Sequence, residues 1–120
     1  MKEKINLREL RIGNYVYDTL GKVNKIDLEA ITYIVKEPHN QVKPIPLTEE
    51  WLLKFGFYKS MSWTYAIELK GNLKLVYYLG EKGWSIGFKS YSDFSNLEYV
   101  HQLQNLYFAL TGNELTIKAE

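Results

Sequence analysis

The chain has no cysteine, and among its 120 residues there are only three prolines, two histidines and two methionines. Without cysteine there is no disulfide, no thiolate nucleophile and no zinc–thiolate site. The two histidines, His39 and His101, are far apart and form no H-x-x-x-H pair, which argues against a metal centre. Charge of one sign is missing too. The 15 basic and 14 acidic side chains are interleaved, leaving a net charge of +1. Proteins that grip duplex nucleic acid through its phosphates carry a basic face, so that partner is disfavoured. No apolar run approaches the roughly 20 residues that cross a bilayer, and Met1-Lys-Glu-Lys4 lacks the apolar core of a signal peptide. The chain therefore reads as soluble and cytoplasmic, with no membrane partner.

What the chain has in plenty is aromatic: 10 Tyr, 5 Phe and 3 Trp. Tyrosine joins an apolar ring to a hydroxyl tip, so it serves half-buried strands and binding surfaces alike.

The length fits a single domain spanning 1–120, and the pattern of elements is α+β. Residues 8–35 read as an SH3-like curled β unit. Asn14–Asp18 is its first strand, Asp18-Thr-Leu-Gly21 a turn, Lys22–Asp27 the return and Ile31-Thr-Tyr-Ile-Val35 a β-branched third strand. Pro38, Pro44 and Pro46 mark a connector over 36–47. Thr48 then caps a short helix, 48–56, with Glu49 and Glu50 in its first turn, Trp51, Leu52 and Phe55 as its stripe and Gly56 as its stop.

Residues 63–89 alternate as a three-strand antiparallel meander. One loop pairs Ile67 with Leu75 and Tyr65 with Tyr77; a second, Gly80–Gly83, pairs Leu79 with Trp84, Tyr77 with Ile86 and Leu75 with Phe88. The segment 98–111 is an amphipathic helix with Val100, Leu103, Leu106, Tyr107 and Leu110 on one face and Gly112 as a left-handed stop. Its stripe is expected to cover the meander, against Trp63, Tyr65, Ile67, Leu75, Tyr77, Ile86 and Phe88. Residues 115–120 read as a short edge strand or a frayed end.

Three blocks of this sequence, Leu10-Arg-Ile-Gly-Asn14, Pro44-Ile-Pro-Leu-Thr-Glu-Glu-Trp-Leu-Leu-Lys-Phe-Gly-Phe57 and Tyr99-Val-His-Gln-Leu-Gln-Asn-Leu-Tyr-Phe-Ala-Leu-Thr-Gly112, resemble a family of small phage- and prophage-associated bacterial proteins. The resemblance implies an accessory protein of a virus or mobile element. It carries over no activity, no cofactor and no site residue.

Nothing in the chain is poised for catalysis. Ser60, Ser62, Ser90, Ser92 and Ser95 sit in no nucleophile motif, and Glu49 and Glu50 are accounted for as first-turn charges. Gly80, Gly83 and Gly87 are spaced as hairpin glycines rather than as a phosphate loop. His101 follows Val100 and reads as a structural histidine. The expectation is thus a non-enzymatic binding module with no cofactor or metal. Its candidate ligand site joins Lys74 and Lys89 to Tyr78, Tyr91 and Phe94, with aromatics for stacking and cations for an anion. The partner is a nucleotide-type signal, sequestered as counter-defence and as a homo-oligomer, or a host protein that the chain blocks. A nucleic-acid-associated SH3-like module is the rival reading, and the face that carries Val76 and Tyr78 is either that surface or an internal one.

Overall fold

The computed structural model describes residues 9–36, 42–69, 73–86, 89–90 and 97–118. Its elements are β1 (Tyr15–Tyr17), β2 (Val23–Lys25), α1 (Leu28–Lys36), α2 (Glu49–Lys54), β3 (Tyr58–Met61), β4 (Thr64–Glu68), β5 (Lys74–Tyr78), β6 (Gly83–Ile86), β7 (Lys89–Ser90) and α3 (Val100–Thr111). The expected α+β class is found, with a C-terminal helix and an antiparallel meander. The chain divides into two compact units, Met1–Pro46 with Tyr99–Glu114 and Leu47–Glu98 with Leu115–Glu120.

In the first unit β1 and β2 form an antiparallel ribbon that pairs Val16 with Asn24. Its turn is built as its residues dictate. Asp18 Oδ1 accepts from the amides of Leu20 and Lys22, each at 2.9 Å, and Gly21 takes the left-handed φ of 82°. These hydrogen bonds hold the Asp18 carboxyl below its usual range, the one to the Lys22 amide foremost. The expected third strand, 31–35, is instead part of α1. Asp27 caps that helix, its Oδ1 accepting from the Ala30 amide at 2.8 Å. Ala30, Ile31 and Ile34, one face at helical spacing, pack on the core of Leu10, Val16 and Ile26. Cap and period together outweigh the β-branched propensity. The ribbon's third neighbour comes from the connector, where Tyr17 and Lys43 exchange both backbone bonds at 3.0 Å.

Helix α3 ends as expected, with Gly112 at φ 77° and its amide donating to Phe108 O at 2.7 Å. Its buried face differs from the apolar stripe. Val100, His101, Leu103 and Gln104 are buried, Leu106 and Tyr107 are half-buried, and Leu110 is 39% exposed. The partners of its buried polar groups are Glu9, Gly13, Asn14 and Tyr15 of the same unit.

In the second unit, Thr48 caps α2 through a 3.4 Å bond to the Trp51 amide. Gly56, at φ 98°, lets Phe57 N return to Leu52 O at 3.0 Å. The rings of Trp51 and Phe55 lie 5.6 Å apart, and both residues are buried. The sheet has the order β3-β4-β5-β6-β7. Tyr65 pairs with Tyr77 and Ile67 with Leu75 as expected. The next register slides by two: Tyr77 faces Trp84 and Leu75 faces Ile86. A slip of two keeps every side chain on its face, so alternation cannot tell the registers apart. The turn decides it: Tyr78 O accepts from Lys82 N at 2.7 Å, and Lys82 takes φ 60°.

Trp63 is the larger departure. Expected in the core, it is 65% exposed, on a turn residue with φ 65°. Tyr65, Ile67, Leu75 and Tyr77 are buried and Ile86 is half-buried, while Phe88 lies outside the described residues. Leu115 is buried too, and Lys118 N donates to Lys54 O at 2.8 Å, so the tail is tied to α2.

Candidate functional site

The register of the sheet sorts its side chains into two faces. Tyr65, Ile67, Leu75 and Tyr77 are the buried face. Burial pushes the Tyr77 hydroxyl up to about 12, the Glu98 charge adding to it, and that hydroxyl donates to Leu97 O. Burial raises Tyr65 as well, with a hydrogen bond to Glu49 as the second cause. Glu49 also lies 3.9 Å from Lys59, and Glu50 lies 3.5 Å from Lys54. The two acids are thus engaged separately and form no paired-carboxylate site.

The opposite face is the candidate. Its middle row runs across the strands as Tyr58, Ala66, Val76 and Ser85, of which Ala66 and Ser85 are buried, Val76 is half-buried and Tyr58 is exposed. Thr64, Tyr78 and Gly83 form the row on one side and Glu68 with Lys74 the row on the other. Tyr78 reaches diagonally, its hydroxyl 3.0 Å from Ser85 Oγ. A ring that bonds two positions along the neighbouring strand must lie over the sheet instead of standing up from it. Small Ser85 and Gly83 give it room, and Ser85 is buried. Tyr58 reaches the other way and donates from its hydroxyl to Glu68 Oε2 at 3.3 Å. The Lys74 ammonium lies 5.7 Å from the Tyr58 ring centroid and 4.0 Å from Glu68 Oε2. Tyr58 first and Glu68 second hold the Lys74 pKa above its ordinary value, so this cation is engaged within the protein.

Of the five residues expected to form a ligand site, Lys74 and Tyr78 share this face, two rows apart on β5. Lys89 stands on β7 opposite Ile86, in the register row of Leu75. Tyr91 and Phe94 lie outside the described residues, as do His39, Ser92 and Ser95. Sequence reasoning missed Tyr58 because the strand that carries it, β3, has no alternating pattern and all four of its residues are exposed. Glu68, six residues before Lys74 across a hairpin, is the one readable hint of the pair.

A second polar cluster belongs to the first unit and is structural. Arg11 Nε donates to Asn105 Oδ1 at 2.7 Å, Nη1 to Glu114 at 2.8 Å, and the guanidinium caps the Phe108 ring at 4.5 Å. Gln104 is fully buried: its Oε1 accepts from the Tyr15 amide and its Nε2 donates to Gly13 O, both at 2.9 Å. His101 is 1% exposed, with Nε2 2.7 Å from Glu9 Oε1 and its buried Nδ1 unpartnered. The first and third sequence blocks therefore carry their polar residues for each other.

Among the described residues, no three metal-binding side chains converge, and no helix is long and apolar enough to cross a membrane. No family model, curated protein or solved structure matches the chain.

Proposed function

We propose that the protein is a non-enzymatic binding module that blocks a host protein in the bacterial cytoplasm, making contact through the part of the meander face where Tyr58, Glu68 and Lys74 are exposed. The observation that carries this reading is the internal balance of that face. Tyr58 is 42% exposed while its hydroxyl and the Lys74 ammonium are both directed to Glu68. A phosphate-bearing ligand would have to displace a carboxylate from the lysine meant to hold it. Apolar and aromatic groups of a protein partner meet no such competitor, and exposed tyrosine is a frequent anchor of interfaces.

Two measurements test it. Calorimetric titration with cyclic and ADP-ribose-type nucleotides is expected to show no binding. Affinity capture from a bacterial lysate is expected to retain a protein that Tyr58→Ala and Tyr78→Ala each weaken by about ten- to a hundred-fold, the span of an interface anchor. A nucleotide bound at micromolar concentration and lost in Lys74→Ala would refute the protein-partner reading in favour of the nucleotide one.

A further inference from the structure

The seam that joins α3 to the segment Glu9–Tyr15 is fastened by polar side chains. At its start His101 Nε2 lies 2.7 Å from Glu9 Oε1, and Gln102 Nε2 donates to the same oxygen at 3.5 Å. One turn on, Asn105 Nδ2 donates to Glu9 O at 2.6 Å, and Asn105 Oδ1 accepts from Asn14 Nδ2 at 3.0 Å. Gln104 closes the other end on Gly13 O and the Tyr15 amide. Water can replace every one of these partners once the seam opens, so closure depends on each buried polar group being satisfied.

One of them is not. A carboxylate only accepts, so neutral His101 donates to Glu9 from Nε2 and leaves Nδ1 as a buried, bare acceptor. A second proton has to go to Nδ1, where it becomes a donor without an acceptor on a residue 1% exposed. His101 is also the second residue of α3, at the helix end whose dipole disfavours a cation. Among the described residues, the charged and titratable groups that face the ring are Glu9 from the segment and Tyr99, whose ring stacks on it at 6.0 Å. Arg11, the cation of the segment, is committed to Glu114 and Asn105. Glu9 favours the protonated ring and burial opposes it; burial prevails and holds the ring below its ordinary value.

We infer that this seam is an acid-released latch: a proton taken up by His101 frees Glu9–Tyr15 from α3 before the rest of the chain unfolds. All the fasteners belong to the first unit, whereas the proposed binding face lies on the second. The closed seam excludes the proton and the open seam admits it. The opening equilibrium therefore rises as pH falls below about 6.5, by up to about ten-fold per pH unit, and levels off below the closed-state value.

Hydrogen exchange of the full chain from pH 8 to 5, each rate divided by the intrinsic rate at that pH, tests this at the Tyr15 amide. Its protection is expected to lie at least about ten-fold below that of the ladder amides of β4 and β5. Below about pH 6.5 it should fall by up to about ten-fold per unit. Dilute urea should change it little, because a local opening exposes little surface. His101→Gln keeps a donor for Glu9 but takes no proton, so its protection should stay flat. Glu9→Gln keeps the acceptor and removes the charge that favours the protonated ring, so there the fall should persist. Flat protection in the unchanged chain, an undiminished fall in His101→Gln or a fall abolished in Glu9→Gln overturns the inference. So does protection that rises with acid, the mark of a charged pair. A urea dependence as steep as that of the sheet amides overturns it too, because the seam would then open only with the whole chain.

Discussion

Gln104→Leu should damage this protein more than most polar-to-apolar changes on a helix. By sequence the substitution looks favourable, since leucine is a good helix former and extends the apolar face of α3. In the structure the amide holds two backbone groups, the Tyr15 N–H and the Gly13 carbonyl, each at 2.9 Å. Leucine answers neither. Leaving a buried donor or acceptor without its partner costs about 1–3 kcal/mol per group, so the gross loss is about 2–6 kcal/mol. Both groups are only partly covered and leucine adds apolar burial, which together return about 1–2 kcal/mol. A net loss of about 1–4 kcal/mol corresponds to a Tm fall of about 4–16 °C for a chain of this size. Urea titration followed by circular dichroism gives the free energy, and an unchanged m-value shows that the comparison is between like states. The Tyr15 amide should also exchange faster. A loss below about 1 kcal/mol with that amide still protected would refute the latch.

His101 supplies a pH test. Burial holds its pKa below 6.5 despite Glu9, because a proton on Nδ1 would have no acceptor. The unfolded chain then binds the proton more readily, so stability is full above about pH 6.5 and declines as pH falls from there toward the depressed folded value. Melting curves from pH 8 to 5 should show that decline, and His101→Gln should flatten it; an equal slope in the variant would assign the effect elsewhere. Asp27→Ala removes the cap of α1 and should cost about 0.5–2 kcal/mol by denaturant titration, an effect absent if residues 31–35 were a strand. Binding to random duplex DNA should be weaker than about 10 μM at physiological salt, and sub-micromolar binding with a steep salt slope would revive the nucleic-acid reading.

Where a single physical signal dominates, the chain was legible. Thr48, Gly56, Gly112 and the Asp18–Gly21 turn behave as local rules require, because caps and left-handed glycines depend on a few adjacent residues. The facing of Tyr65 and Tyr77 follows from alternation together with the length of the loop between their strands. Reading failed where two signals competed or parity hid the answer. Ile31–Val35 offers β-branched side chains and a helical period at once, and only the Asp27 cap breaks the tie. The β5–β6 slip of two is invisible to any pattern of period two. Gln104 looks like a solvent-facing residue, and His101 reads as structural without a visible partner, because their partners are about ninety positions away. Of the expected site, Lys74 and Tyr78 fall on one face of β5 as alternation requires.

The interleaved course of the chain dictates an order of assembly. The meander is built from neighbours in sequence: Tyr65 meets Tyr77, and Tyr77 meets Trp84. The first unit closes across a separation of 94 residues, from Arg11 to Asn105. Loop-closure entropy and synthesis from the N-terminus both delay that second event. On the ribosome, all of Leu47–Glu98 is made before α3 exists, so Asn14 and the Tyr15 amide, already synthesised, must wait in water for Gln104. A chain ending at Glu98 would keep every strand of the sheet but lack the helix that closes the first unit, and that N-terminal segment is where a chaperone or protease would find its opening.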